Sequence, residues 1–264
     1  MVKKAIFLIL SLTLVARFTQ PVYAEIYSGT CGTNVNWHLD TSTGELTISG
    51  SGEMKHYSSI AYFPWYSHLN SIKTVVSQNG VTGELDGFTG CTSLTSVTIG
   101  DSITMIGHYS FRGCSGLTKV VVPNSVYQIA QESFKDCSGL TEVTIGNGNS
   151  NCWAIGHSAF KNCVGLTKIT IPNSVTLIDD SAFEYCSGLT DVTYQGTRNP
   201  GKSAASVFWG TQITSVNVPW NYNDLLFCGE SISYLPSANF TKALNYCYQK
   251  LKAIFVFNFL FCMP

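Results

Sequence analysis

The sequence predicts an α/β solenoid, with a parallel sheet on one side, short helical or 3₁₀ turns on the other, and an N-terminal β cap. Three observations predict it. Five near-copies of one unit recur at a fixed short period, each unit holds a stretch in which apolar and polar residues alternate, and residues 25–80 carry a hairpin pattern that ignores the period. A unit of 23 residues is too short to bury its own apolar side, so it buries that side only against the next copy.

The chain has 264 residues, of which 12% are charged, with 15 Lys and Arg against 16 Asp and Glu. That balance excludes a polybasic, nucleic-acid-binding face. Residues 1–24 place Lys3 and Lys4 ahead of an apolar run from Ala5 to Ala16 and end in Val22-Tyr23-Ala24. This is the pattern of a secretory signal peptide and predicts a secreted or cell-surface protein.

Residues 25–80 form the expected cap. Val35, Trp37 and Leu39, the turn at 40–44, and Leu46 and Ile48 read as a β-hairpin. Ile72 to Val76 is strand-like and leads into the first repeat, and Trp65 is expected to plug that end.

Residues 81–219 hold the solenoid, about six repeats. Phe88, Phe111, Phe134, Phe160 and Phe183 lie 23, 23, 26 and 23 residues apart. Three residues after each comes a cysteine, Cys91, Cys114, Cys137, Cys163 and Cys186, and three later again Leu94, Leu117, Leu140, Leu166 and Leu189. The alternating stretch follows, with inward pairs such as Val120/Val122 and Ile169/Ile171, and reads as a strand with one buried face. Pro123, Pro172 and Pro219 end that strand. A sixth, degenerate unit has Phe208, Ile213, Val216 and Val218, with Thr211 where cysteine is expected. One strand and one short turn per unit describe a leucine-rich-repeat solenoid.

Equivalent positions of a stacked solenoid lie about 4.8 Å apart. The repeated cysteines are therefore expected as a buried column of small apolar side chains rather than a disulfide framework. The case for disulfides rests on Cys31, Cys152, Cys228, Cys247 and Cys262, with Cys152 expected in a surface loop, the insertion NGNSNCW. No Cys-x₂-Cys occurs and the column offers no second ligand type, so no metal and no cofactor are expected.

The outward strand residues form the candidate ligand-binding face. One column reads Ser96, Lys119, Glu142, Lys168, Asp191 and Ser215, in which neighbouring strands set opposite charges side by side. The second reads Thr98, Val121, Thr144, Thr170, Thr193 and Asn217, flanked by further threonines such as Thr95, Thr118 and Thr141. Hydroxyls and methyls together suit a polypeptide or glycan ligand, while strand propensity alone would also favour threonine on a solvated face.

No enzyme signature is present. Gly-x-Ser-x-Gly is absent, Gly146-Asn147-Gly148 continues into no phosphate loop, and Asp179-Asp180 reads as a surface turn. His108 and His157 hold equivalent positions two repeats apart, about 10 Å, too far to share a metal. Competing classes are a hydrolase with a loop-borne site and a self-associating coat component. Residues 220–264 form a C-terminal cap or tail, with the sequon Asn239-Phe240-Thr241 and an eleven-residue apolar run from Ala253 to Met263. That run is too short to span ~30 Å of hydrocarbon, leaving packing on the last repeat or weak membrane attachment.

The units FRGCSGLTKVVVPNSV, FKNCVGLTKITIPNSVTLI and FEYCSGLTDVTY resemble the BspA-like leucine-rich-repeat family. The segments SGTCGTNVNWHLDTSTGELTISGSGEM and AYFPWYS before them, and VFWGTQITSVNVPWNYNDLLFCG after them, extend the resemblance over roughly residues 27–229. The first unit departs from it at VTGELDGF. The resemblance implies a surface-exposed or secreted protein that binds other proteins, linked to adhesion to extracellular matrix or other cells, and supplies no catalytic residues.

Overall fold

The computed structural model describes residues 25–146, 150–201, 204 and 206–234. The predicted signal peptide, the sequon, the apolar C-terminal run, Cys247 and Cys262 lie outside the described residues.

Before the repeats lie strands β1 (Ile26–Gly32), β2 (Val35–Asp40), β3 (Glu45–Gly50), β4 (Gly52–Glu53) and β5 (Thr74–Ser77), with 3₁₀ helices at Ile60–Tyr62 and Tyr66–Ser71. The repeats supply β6 (Val81–Leu85), β7 (Ser96–Thr98), β8 (Ile103–Ile106), β9 (Lys119–Val122), β10 (Gln128–Ile129) and β11 (Glu142–Ile145). They continue through β12 (Ala154–Ile155), β13 (Lys168–Ile171), β14 (Leu177–Ile178), β15 (Asp191–Tyr194) and β16 (Val216–Val218), and β17 (Ile232–Tyr234) follows. An eleven-stranded sheet runs β1-β2-β3-β5-β7-β9-β11-β13-β15-β16-β17. It is parallel from β3 onward, whereas β1, β2 and β3 form an antiparallel meander that includes the expected hairpin. A second, narrow sheet runs β14-β12-β10-β8-β6-β4, and its pairs are parallel.

The chain is therefore the expected leucine-rich-repeat solenoid, with two differences in its local structure. The first is the second sheet, which buries Ile106, Ile129, Ile155 and Ile178. Four of its six strands, β4, β10, β12 and β14, are only two residues long, too short for alternation to mark them. The second is that each repeat carries a hydrogen-bonded turn where a short helical piece is expected. Non-glycine residues with positive φ sit two before the phenylalanine (Tyr109 61°, Glu132 53°, Ser158 53°, Ser181 58°). Positive φ recurs two after it (Gly90 76°, Gly113 74°, Asp136 63°, Asn162 61°, Tyr185 58°). Left-handed residues on both sides stop a right-handed helix from propagating.

Those left-handed positions also connect the repeats. In the Glu132 to Asp136 turn, the amides of Glu132, Phe134 and Asp136 donate to the carbonyls of His157 (2.9 Å), Ala159 (2.8 Å) and Lys161 (2.8 Å) of the next repeat. The turn thus behaves as one more rung of parallel pairing while reversing the chain. Gly90 shows the backbone demand in isolation, because a Cβ added there would meet nothing within 4 Å.

Inside, the repeated aromatics form a single file. Trp65, Phe88, Phe111, Phe134, Phe160, Phe183 and Phe208 stack with centroids 5.3–5.5 Å apart and planes within 1–11° of parallel. Trp65 is fully buried at one end of the file, and its indole N–H donates to Gly87 O at 2.8 Å. Beside the rings, the cysteines are fully buried free thiols. Four of the five Sγ atoms donate backward to the phenylalanine carbonyl of the preceding repeat, Cys114 to Phe88 O (3.2 Å), Cys137 to Phe111 O (3.0 Å), Cys163 to Phe134 O (3.1 Å) and Cys186 to Phe160 O (3.0 Å), while Cys91 donates to Leu69 O (3.1 Å). Cysteine thus supplies a donor that alanine lacks, besides filling the space.

Outside the column, Cys31, Cys152 and Cys228 are also buried free thiols. The expectation of Cys152 in a surface loop is corrected: its side chain is fully buried, with the thiol directed toward Ala154 O at 3.5 Å. At the C-terminal end of the solenoid, Tyr194 of β15 packs with Tyr222 and Phe227, with Tyr194–Phe227 centroids 4.8 Å apart.

Three outcomes follow from this packing. Phe134→Ala, which empties the middle of the file, lowers unfolding free energy by about 3–5 kcal/mol in urea titration. Gly90→Ala costs about 1–2 kcal/mol by the same measurement, from backbone strain alone. Burial pushes the Cys91 and Cys137 thiols up to about 12 from the ordinary 9.0. A thiol raised in the fold stabilises it fully below the unfolded value, and that stabilisation is lost as pH rises toward the folded value. Unfolding free energy therefore declines from about pH 9 upward, and the decline is shallower in Cys137→Ala.

Candidate binding face of the long sheet

In each repeat strand of the long sheet, the residues that alternate with the buried Val and Ile point outward, giving the burial pattern exposed-buried-exposed-buried in β9, β11 and β13. Parallel pairing in register then aligns them across strands. Ser96 lies beside Lys119, Lys119 beside Glu142, and Lys168 beside Asp191. In the second column Val121 lies beside Thr144, Thr144 beside Thr170, Thr170 beside Thr193, and Thr193 beside Asn217. Thr98 is exposed on β7, while Ser215, Asn217 and Thr193 are half-buried toward the far end. The twelve predicted residues thus share one face.

Electrostatics on that face are local. Lys119 Nζ lies 2.8 Å from Glu142 Oε1, with both side chains about half exposed. Such a pair contributes roughly 0.2–1 kcal/mol. Asp191 Oδ1 accepts from Asn217 Nδ2 at 3.0 Å, and Ser233 Oγ donates to Asn217 Oδ1 at 2.6 Å. The last three strands therefore present a connected polar surface.

Two open concavities divide the face. One, about 640 Å³, is lined by Glu142, Lys168 and Asp191 with Thr144 and Thr170. The other, about 610 Å³, is lined by Thr98, Val121 and Thr144. The first is mixed in charge; the second is rich in methyl groups and centres on Val121, which is 48% exposed. Gln195 borders the first and Asp101 the second, and neither carries a periodic signal in the sequence.

The flanking threonines have a different role from the one an exposed hydroxyl suggests. Thr95 Oγ1 donates to Lys73 O (3.1 Å), Thr141 to Thr118 O (3.1 Å) and Thr190 to Thr167 O (3.3 Å). These hydroxyls clamp consecutive repeats at the strand entrance. His108 and His157 are exposed on separate turns. Among the described residues no group of three or more His, Cys, Asp or Glu side chains is placed to hold a metal ion, and no helix is long and apolar enough to cross a membrane.

The sequence matches the BspA type leucine rich repeat region in six copies, over residues 58–190 and 104–232. Comparison with functionally curated proteins finds no match. Among solved structures, the chain is similar to a leucine-rich repeat protein of Eubacterium ventriosum, with 18% identity, TM-score 0.45, and coverage of 81% of this chain and 73% of that one. It is also similar to a leucine-rich repeat protein of Bacteroides ovatus, with 20% identity, TM-score 0.47, and coverage of 77% and 52%. A third, from T. pallidum, has 20% identity, TM-score 0.45, and coverage of 73% and 90%. With six matched copies laid over the stacked files of Phe and Cys, the chain belongs to the BspA type leucine-rich-repeat family.

Proposed function

We propose that the protein works outside the cell as a non-catalytic binding module, and that the outward face of the long sheet docks a polypeptide of the extracellular matrix or of another cell. The observation that carries this reading is the register of the two outward columns, which sets charged and methyl-rich concavities side by side on one surface. A rigid backbone under that face lowers the ordering cost of association. Lys168 and Asp191 then steer and orient the partner, while Val121 with its threonine neighbours supplies desolvated contact. In this reading the β1–β3 meander covers the first repeat, and the signal peptide directs export.

Charge reversal tests the assignment. The double variant Lys119→Glu, Lys168→Glu is expected to bind immobilised extracellular-matrix proteins about tenfold more weakly than the parent, with an unchanged circular dichroism spectrum. Undiminished capture by the folded variant would remove the sheet face from the binding site.

A further inference from the structure

The first repeat breaks the period at Gly83-Glu84-Leu85-Asp86-Gly87, and the break has a structural result. Leu85 pairs with Ile106 across β6 and β8. Leu85 lies three residues before Phe88, whereas Ile106 lies five before Phe111, so the first turn is two residues shorter than the second. The gap lies beside Tyr109 and Arg112 of the second turn and is walled on its other side by the segment from His56 to Phe63. An open cavity of about 340 Å³ results, within the size range of small-ligand sites. None of the twelve sheet-face residues lines it, so it is separate from the face proposed above.

Its walls combine rings and acids. Tyr57 and Phe63 pack with centroids 4.6 Å apart, and Phe63 lies so close over Gly87 that a Cβ there would overlap the ring. Glu84 and Asp86 are two apart along an extended segment, hence on the same side and roughly 7 Å from each other. Asp86 Oδ1 accepts from the Gly87 amide. Glu84 Oε1 accepts from the His108 amide at 3.2 Å, and its Oε2 lies 3.5 Å from His56 Nδ1. The neighbouring guanidinium is already engaged, with Arg112 Nη1 3.1 Å from Glu132 and its Cζ 6.0 Å from the centre of the Tyr109 ring, while Lys55 Nζ lies 5.2 Å from the centre of the Tyr57 ring and outside the cavity lining. Among the described residues, no Lys or Arg forms an ion pair with Glu84 or Asp86. Burial, with Glu84 adding to it, outweighs the Gly87 amide and His56 and raises the Asp86 carboxyl to about 6.

We propose that this cavity binds a guanidinium group, the head of an arginine side chain presented by a polypeptide, with Asp86 and Glu84 as its counter-ions and Tyr57 and Phe63 as its aromatic walls. A planar delocalised cation stacks on rings and offers its N–H groups in a fork to separated carboxylates, which a compact, strongly hydrated ammonium does less well. The two-residue deletion supplies the room, and the two acids supply the charge.

Calorimetric titration of the full chain with N-acetyl-arginine amide, its neutral near-isostere N-acetyl-citrulline amide, and putrescine tests the assignment. The arginine derivative is expected to bind saturably, and the citrulline derivative at least about tenfold more weakly. Asp86→Asn removes a half-buried charge while keeping the side chain's size, and it is expected to weaken arginine binding about tenfold with an unchanged circular dichroism spectrum, as is Glu84→Gln. Equal binding of citrulline, no saturable arginine binding up to about 10 mM, or unchanged affinity in both folded variants would overturn the site. Tighter binding of putrescine than of the arginine derivative would assign the cavity to free amines and overturn the polypeptide source.

Discussion

Neighbouring repeats meet at one fixed spacing, and everything else in the molecule depends on it. Parallel strands set about 4.8 Å between equivalent backbones. Offset-stacked rings fit that spacing, with centroids held at 5.3 Å through the four central phenylalanine contacts. The turn satisfies the same distance through amides at alternate positions, and the cysteine thiol closes the phenylalanine carbonyl from the following repeat. Backbone pairing, ring stacking and thiol bonding therefore reinforce one translation. A repeat displaced along the strand direction would lose all three together.

The surface inherits this order. Because the inward residues cannot slip, the outward ones are held in straight columns, and a side chain on one strand has a fixed neighbour on the next. Lys119 meets Glu142 for this reason, and Val121 is set among threonines. Rigid columns make a flat recognition surface possible without long loops, and an irregularity in a single repeat becomes a defined cavity. The shortened first turn is such an irregularity, with Leu85 three residues before Phe88 where Ile106 stands five before Phe111.

Much of this was legible in the sequence. Phe, Cys and Leu at constant offsets identified the interior files, and period-2 alternation placed Lys119, Thr144 and Lys168 outside. What the sequence hid is instructive. The left-handed conformations of Tyr109, Glu132 and Tyr185 lie on residues with no preference for them, so the turns resembled short helices. The narrow second sheet has strands too short to show alternation, although the recurring isoleucines at 106, 129, 155 and 178 were its trace. Strands β1 and β17 gain their place by pairing with β2 and β16 rather than by any pattern of their own. Cys152 read as a loop residue because its neighbours are polar, yet its side chain lies in the core.

Through-space proton contacts between phenylalanine rings test the stacking directly. With selectively labelled phenylalanine, assigned by single Phe→Leu replacements, the account predicts a chain of contacts linking Phe88 to Phe111, Phe111 to Phe134, and onward to Phe208, with none that skips a repeat. Rings that share no contacts, or contacts that join non-adjacent units, would contradict it.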